Sequence, residues 1–468
     1  MAGIYIETFG CQMNEADSQY IADRATAAGY AIVAEPREAS VVVLNTCTVR
    51  DNAERRAYGR MQHFRALKRA DPSLKLVVCG CLAEQDRDTM QLVAPHVDAV
   101  FGTSELVRLG DALASWRPQF ADDESSEERA LTAAFGGTAD CIVDRFSHLR
   151  AFVTVQRGCS YYCTFCIVPH VRGRFDHRPS AEILDEVRLA LSSGAREIML
   201  VGQTVNAYKD PASGADFAGL LETVAGLEGL ERLTFVTSHP KDCTDRLAHA
   251  MGRLPNLNPR FHLPVQSGAN SVLRRMNRKY TVEAYLERIA VFREQCPGWA
   301  LTTDLIVGFP GETDDDFEQT LRLCERVKFA QAFMFVYSPR RGTPAALWEQ
   351  VPSEVATQRL RRLIATVDGG VRAYHQAKVG TTVRALVQGP SRKDPSKIAA
   401  RTVDNVTVVA YAGELDEDSF VAAPWIDVAV DDARVWGCSG RLVGMSKGFA
   451  GEATAVHIKE TVDLLGVI

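Results

Sequence analysis

Three cysteines in the stretch QRGCSYYCTFCIV, residues 156–168, stand close enough along the chain to share one metal centre. Cys159, Cys163 and Cys166 form a C-x3-C-x2-C pattern, and three thiolates at that spacing can wrap one loop around a cubane iron–sulfur cluster. A 4Fe–4S cluster ordinarily takes four thiolates. The loop offers three and no fourth nearby, so one iron stays open to a ligand other than protein. Zinc usually takes four Cys/His ligands from paired short-spaced motifs, which makes a zinc knuckle, or three unrelated buried cysteines, the weaker reading. A second set is spread along the first hundred residues: Cys11 in ETFGC, Cys47 in VLNTC and Cys81 in VVCGC each follow an apolar run. One cysteine after a strand is usually just buried. Three at equivalent places suit a second cluster, again with an open iron. Cys79, two residues before Cys81, competes for the third place, and Cys81 is favoured because it lies past the strand end.

The elements that carry these residues follow from the pattern around them. Ala151–Gln156 reads as a strand and Gly158 permits a tight turn. Strands are expected at Ile4–Phe9, Val41–Asn45, Leu74–Val78 and Ala99–Phe101, with helices over Asn14–Ala28 and Val49–Arg69 between them. Such alternation argues for a parallel sheet covered by helices, with its ligand edge at the carboxyl ends of the strands. Gly10 and Gly80 let the backbone come close to that edge. Further on, a helix over Pro179–Ser193, capped by Ser180, is followed by strands at Glu197–Val201, Leu233–Val236, Phe261–Leu263, Leu301–Val307 and Ala332–Val336. Six β/α units imply an incomplete barrel, open on one side and active at its strands' C-terminal ends. The last region changes to short strands at Thr382–Gln388, Ala399–Thr402, Val406–Tyr411, Ile426–Val430 and Arg441–Val443, which reads as a small antiparallel barrel.

The fold class is therefore α/β, in five segments: an N-terminal parallel domain over 1–118, an acidic linker over 119–145, a barrel over 146–375, the small β-barrel over 376–445 and a tail over 446–468. Cys141, at the end of the linker, is expected to be structural. The 468 residues are 46% hydrophobic and 24% charged, as in a soluble globular protein. No run of about 18 apolar residues suggests a membrane span. MAGIYIETFG enters a strand directly, with no signal-peptide pattern, so the twelve cysteines point to metal or redox chemistry in a reducing cytoplasm and not to a disulfide frame.

Against these residues, the chain resembles the radical S-adenosylmethionine (SAM) enzymes. In that family the open iron chelates the amino and carboxylate groups of SAM, and one electron cleaves it to methionine and a 5′-deoxyadenosyl radical. TFGCQMNEADS, VVVLNTCTVRDNAERR and VVCGCLAEQ resemble the N-terminal domain of the methylthiotransferases, and TFGCQMN is most similar to the MiaB-type tRNA enzymes. The family's auxiliary-cluster cysteines map onto Cys11, Cys47 and Cys81, and its catalytic cysteines onto Cys159, Cys163 and Cys166. The implied cofactors are two 4Fe–4S clusters and SAM. Four turns at consecutive strand ends suit the ligand. The resemblance places Gly202 and Gln203 near its methionine moiety, Gln266 and Ser267 near its ribose, and Gly308, Gly311 and Glu312 near its adenine.

The resemblance implies replacement of the C2–H of N6-(dimethylallyl)adenosine, 3′ of the anticodon, by C–SCH3. Two other substrates remain open, N6-threonylcarbamoyladenosine and a ribosomal protein aspartate, as does a non-catalytic iron–sulfur RNA-binding protein. The implied partners are the tRNA anticodon stem-loop, an external electron donor and a sulfur source, with the protein a monomer. A net charge of −6 excludes a globally basic RNA coat but not local patches. Arg274, Arg275, Arg278 and Lys279, with Arg340 and its neighbour Arg341, read as phosphate contacts beside the barrel mouth. The Arg359, Arg361 and Arg362 group remains undecided. The terminal barrel resembles the TRAM domain, an RNA-binding module. Lys393 and Lys397 are its candidate contacts, set against an acidic loop of Glu414, Asp416, Glu417 and Asp418.

Overall fold

The computed structural model describes residues 2–49, 51–116, 149–391, 393–411, 417–422, 424–446 and 448. The linker expected over 119–145, Cys141 within it, Glu414 and Asp416, and residues 449–468 lie outside the described residues.

The chain opens with β1 (Ala2–Thr8), α1 (Gln12–Ala27), β2 (Tyr30–Ile32), β3 (Val41–Thr46), α2 (Asp51–Ala70), β4 (Lys75–Gly80), α3 (Cys81–Gln85), α4 (Arg87–Val93), β5 (Ala99–Phe101) and α5 (Leu106–Trp116). The strands form one parallel sheet in the order β2-β1-β3-β4-β5. Every residue of β3 is buried, as a strand covered on both faces requires. Val41, Val43 and Val77 meet Ile21 and Ala25 of α1 and Leu106, Leu109 and Leu113 of α5. Val42, Leu44, Leu76 and Val78 point the other way, onto Ala57, Met61 and Phe64 of α2. β2 and α5 were not anticipated from the sequence.

The central region runs through β6 (Arg150–Thr154), β7 (Gln156–Arg157), α6 (Val168–Val171), β8 (Asp176–His177), α7 (Ser180–Ser192), β9 (Glu197–Val201), α8 (Phe217–Ala225), β10 (Arg232–Phe235), α9 (Asp245–Arg253) and β11 (Arg260–His262). It continues with α10 (Asn270–Arg275), α11 (Val282–Gln295), β12 (Ala300–Val307), α12 (Asp314–Val327), β13 (Gln331–Val336) and α13 (Ser353–Gln376). β6-β9-β10 and β11-β12-β13 are two parallel runs, bridged where Leu233 meets Leu257. That is the open six-strand β/α arrangement expected. Ser180 is not the cap of its helix. Pro179 precedes the first turn, and the Ser180 hydroxyl donates to Asp210 Oδ2 at 2.9 Å.

The last region holds β14 (Thr382–Ser391), β15 (Asp394–Thr402), β16 (Thr407–Tyr411), α14 (Glu417–Ala422), β17 (Trp425–Arg434) and β18 (Gly437–Ser446), with the strands closed in the order β14-β15-β16-β18-β17. The β16–β18 pair is parallel and the rest antiparallel. Glu417 and Asp418, expected in an acidic loop, instead open the short helix α14, whose Phe420 is buried in the barrel core with Val408, Ile426 and Val428. The barrel docks on the end of α13. Lys378 pairs with Asp404 at 2.7 Å, Tyr374 donates to the same carboxylate at 2.5 Å, and His375 Nδ1 lies 2.7 Å from the Arg434 carbonyl.

Candidate active site

The 156–168 stretch is part of a closed loop. β7 and β8 pair antiparallel, Gln156 with His177 and Arg157 with Asp176, and Cys159 N donates to Gly173 O at 3.0 Å. Gly158 is needed at this neck: its φ is +68°, and a Cβ would lie 2.0 Å from Arg174 O. Gln156, fully buried, joins the loop to the next strand end. Its amide donates to Arg157 O and Gly158 O, and its Oε1 accepts from Thr204 N at 3.1 Å. The Thr204 hydroxyl then lies 3.6 Å from Cys159 Sγ. The far side of the loop is pinned by Thr164 N to Met276 O at 3.2 Å and by Asn277 Nδ2 to Tyr162 O at 2.9 Å. The Cys166 thiol feels Cys163 and Cys159 electrostatically, and desolvation pushes it up to about 12. A thiol so hard to ionise alone becomes a ligand when a metal displaces its proton to solvent.

Arg278 belongs to this site and not to an RNA surface. It is 8% exposed. Its Nη1 donates to Cys163 Sγ at 3.4 Å, Nη2 to Pro264 O at 3.1 Å and Nε to Tyr280 Oη at 2.9 Å. No carboxylate of the described residues is among its hydrogen-bond partners. A buried cation without an anion is costly, and a thiolate-bound cluster beside Cys163 would supply the missing charge. Burial, then Arg278 and Lys241, drive His239 down to about 2, so its ring is neutral. That ring stacks on Tyr161 at 4.3 Å, and Tyr161 hydrogen-bonds Asp242. Thr204, His239, Tyr161 and Tyr280 were missed in the sequence, where no spacing links them.

The second triad lies at the carboxyl edge of the N-terminal sheet, as expected. Cys11 caps α1, Cys47 follows β3 and Cys81 opens α3. Gly10 has φ +126°, and a Cβ there would meet Cys47 Cβ at 2.4 Å, so only glycine lets the first turn reach the second. Asn14 and Asn45 tie the turns together: Asn14 Nδ2 donates to Asn45 Oδ1 and Thr46 O, both at 3.1 Å, and Asn45 Nδ2 to Asn14 O at 2.7 Å. Cys81 lies within electrostatic reach of Cys47 and Cys11. Burial pushes its thiol up to about 12, against the pull of Arg172. Cys79 packs differently from Cys81, although Asp17, Cys81 and Arg172 also reach it electrostatically. It packs among Ile4, Val43 and Val77 inside the sheet's apolar layer, whereas Cys81 packs on Ile167 and Val171. Ile167 comes directly after Cys166 and Val171 ends α6, so Cys81 meets the segment that leaves the first triad at one seam. Met13 and Ala16 of α1 close it against Met199 and Val201 of β9.

The expected SAM turns divide. Gly202 approaches Gln156, where a Cβ would sit 2.9 Å from its carbonyl oxygen. Gln203 Oε1 and Ser238 Oγ, at the ends of β9 and β10, are buried with no hydrogen-bond partner among the described residues. Orphan polar atoms of that kind call for a polar ligand, and they fit the amino and carboxylate groups of SAM. Gln266 is held at φ +73°, a strained backbone of the sort found at ligand sites.

Four other residues have contacts within the protein, although Glu312 Oε1 is, like Gln203 Oε1, buried with no hydrogen-bond partner among the described residues. Ser267 is fully buried and its hydroxyl accepts from Ala269 N at 3.2 Å. Gly308 allows α13 to approach, since a Cβ would meet Ala356 Cβ at 2.5 Å. Gly311 lies under the Arg275 guanidinium, 2.6 Å from where a Cβ would be. Glu312 accepts from Gly308 N at 2.7 Å and pairs with buried Arg359 at 2.8 Å. The Ser267 side chain therefore serves its own turn, while Glu312 commits one carboxylate oxygen to the fold and leaves the other open.

The candidate RNA contacts also divide. Arg274, Arg275, Lys279 and Lys393 are exposed. Arg275 still donates to Pro310 O at 2.9 Å and stacks on Trp348. Arg340 is committed to the N-terminal domain, pairing with Glu54 at 3.4 Å and with Val49 O at 3.1 Å. Lys397 pairs with Asp394 at 3.0 Å and lies over Tyr411. Arg359, undecided from sequence, is structural, and Arg362 pairs with Glu318 at 2.7 Å.

The Radical SAM superfamily model matches residues 153–324, and that of Uncharacterized protein family UPF0004 matches residues 3–102. The chain is 42% identical over 424 residues to the tRNA-2-methylthio-N(6)-dimethylallyladenosine synthase of Syntrophotalea carbinolica, covering 89% of this chain and 95% of that one. It is 41% identical over 446 residues to the protein of the same name from Moorella thermoacetica, covering 94% and 98%. Among solved structures, the radical S-adenosylmethionine methyltransferase TsrM from Kitasatospora setae superposes with TM-score 0.52 at 15% identity, over 76% of each chain. That likeness bears on the fold.

Proposed function

The chain belongs to the tRNA-2-methylthio-N(6)-dimethylallyladenosine synthases, radical SAM enzymes, and from that premise we propose that it replaces the C2–H of N6-(dimethylallyl)adenosine in tRNA with a methylthio group. That C–H is aromatic and unactivated, so acid–base chemistry alone cannot functionalise it. When bound, the cluster on Cys159, Cys163 and Cys166 supplies the one-electron reduction of SAM, and a second on Cys11, Cys47 and Cys81 supplies an iron that holds sulfur.

The observation that carries the reading is the seam: Cys81 packs on Ile167, which adjoins Cys166, and on Val171 at the end of α6. Hydrogen abstraction and sulfur delivery then fall on either side of one seam, where the chain's task is to hold cofactor and base in register. Gln203 and Ser238 offer polar partners to SAM, Gly202 a close backbone, and Arg278 a positive charge beside the Cys163 sulfur. Tyr161, stacked on neutral His239, walls the same side. For the tRNA, Arg274, Lys279 and Lys393 are exposed candidate contacts, and Arg275 is exposed but engaged with Pro310 and Trp348. The anticodon stem-loop, an external electron donor and a sulfur source are the partners of this reading, and the protein works as a monomer in the cytoplasm. Among the described residues no helix is long and apolar enough to cross a membrane. The domain limits of this reading are 1–118, 146–375 and 376–445.

Mass spectrometry of tRNA nucleosides from a deletion strain tests it. The methylthio group should vanish from prenylated adenosine alone. Its loss from threonylcarbamoyladenosine instead would assign the other substrate.

A further inference from the structure

Arg172 stands where the cluster loop returns to its neck, and it reaches out of its own domain. α6 follows Cys166 almost at once, and Arg172 ends it, its N–H donating to Val168 O at 2.8 Å. The next residue, Gly173, accepts the Cys159 N–H. The backbone of Arg172 is thus fixed to the loop that carries Cys159, Cys163 and Cys166. Its guanidinium points the other way. Nε donates to Cys81 Sγ at 3.1 Å, and Nη2 to Asp17 Oδ2 at 2.7 Å. The side chain is 6% exposed and that of Asp17 2%. Thr103 Oγ1, donating to Val171 O at 2.5 Å, clamps the same turn from the N-terminal domain.

We infer that Arg172 is a positioning residue that sets the reduction potential of the auxiliary centre and ties its third ligand to the SAM-cluster loop. The inference rests on the auxiliary site proposed above. Its physical basis is general: a hydrogen bond or cation at a ligating sulfur stabilises the added electron and raises a cluster's potential. Asp17 works against it. A buried carboxylate 2.7 Å from the guanidinium offsets part of the positive charge that Cys81 sees. The pair sets the potential as the difference between two opposed effects, which a bare packing contact cannot do.

The test uses the full chain with Cys159, Cys163 and Cys166 all replaced by Ala, reconstituted anaerobically so that the auxiliary triad alone can hold a cluster. The midpoint potential is read by EPR during titration with dithionite as the electron source. Arg172→Met should shift it to more negative values, and Arg172→Lys should recover part of the shift. Asp17→Asn should move it the opposite way, to more positive values. Iron content and circular dichroism confirm that each variant is loaded and folded. Loaded Met and Asn variants with the parent's potential, or with shifts of the same sign, overturn the inference. If the Met variant does not load, the Asn shift alone decides: a positive shift supports the inference and an unchanged potential overturns it. A parent that holds no cluster overturns the auxiliary site itself, and the inference with it.

Discussion

Arg278 offers a perturbation whose size differs between the empty and the loaded protein. In the empty protein its guanidinium is buried against Cys163 Sγ at 3.4 Å, Pro264 O and Tyr280, with no carboxylate among those partners. A buried cation pays several kcal/mol of desolvation that neutral partners only partly offset. Arg278→Met keeps most of the volume and removes that penalty, so thermal stability of the apoprotein should change by no more than about 1–2 kcal/mol, in either direction. In the loaded protein the Cys163 sulfur carries part of the cluster's negative charge. A unit pair about 4–5 Å apart at an effective dielectric of about 20 is worth roughly 3–4 kcal/mol, and cluster charge spread over several atoms brings this nearer 2–3. Cluster retention should therefore fall on the order of 100-fold. The assay is the rate of iron release to a chelator, set beside apoprotein melting and tRNA affinity against salt. A variant that keeps its iron as tightly as the parent refutes the electrostatic reasoning. A salt slope lowered by about one unit would mean that Arg278 touches phosphate after all.

The exposed cations behave differently. Replacing Arg274 and Lys279 with Ala should weaken tRNA binding and flatten its salt slope by about one to two units while leaving iron content alone, and an unchanged slope would leave them a solvated face. Gly10→Ala forces a Cβ to 2.4 Å from Cys47 Cβ at φ +126°; strain and overpacking together should cost about 2–6 kcal/mol. Half the iron should be lost, with SAM cleavage retained, and a fully loaded Ala variant would show that the turn has room. Burial also holds the His375 imidazole below its ordinary value. Its folded value is thus below the unfolded one, so its contribution is complete above about pH 6.5 and is lost as pH falls. The melting midpoint should drop from pH 7 to 5, and less so in His375→Gln; equal slopes would place the effect elsewhere.

How much of this was legible depends on how far apart the interacting residues stand in sequence. The C-x3-C-x2-C loop and the three strand-end cysteines were readable because spacing and strand ends are local properties. So were the N-terminal sheet, the β/α strands and the terminal barrel, written in period-2 and near-continuous apolar runs. β2, only three residues long, gave too little signal. The Leu106–Leu109–Leu113 face of α5 was present and overlooked. The basic run after β11 was misjudged in part because α10 ends at Arg275 and Asn277 turns the chain at φ +58°. Arg274 and Arg275 stay outside while Arg278 is carried inward. No local pattern could have shown that Glu312 would find Arg359, that Arg340 would find Glu54, or that Arg172 would cross the seam to Cys81. Those pairs exist only once the domains are packed.

The most direct test of the account separates the two triads. Cys163→Ala, Cys47→Ala and Cys79→Ala are reconstituted side by side with the parent, and 5′-deoxyadenosine and methylthiolated nucleoside are measured in the same reactions. Cys163→Ala should abolish both products. Cys47→Ala should still form 5′-deoxyadenosine under reduction yet transfer no sulfur. Cys79→Ala, whose thiol sits in the apolar layer with Ile4 and Val77, should keep most of both activities. Full methylthiolation by Cys47→Ala would contradict the account, and a folded Cys79→Ala that behaves as Cys47→Ala should would move the third ligand from Cys81 to Cys79.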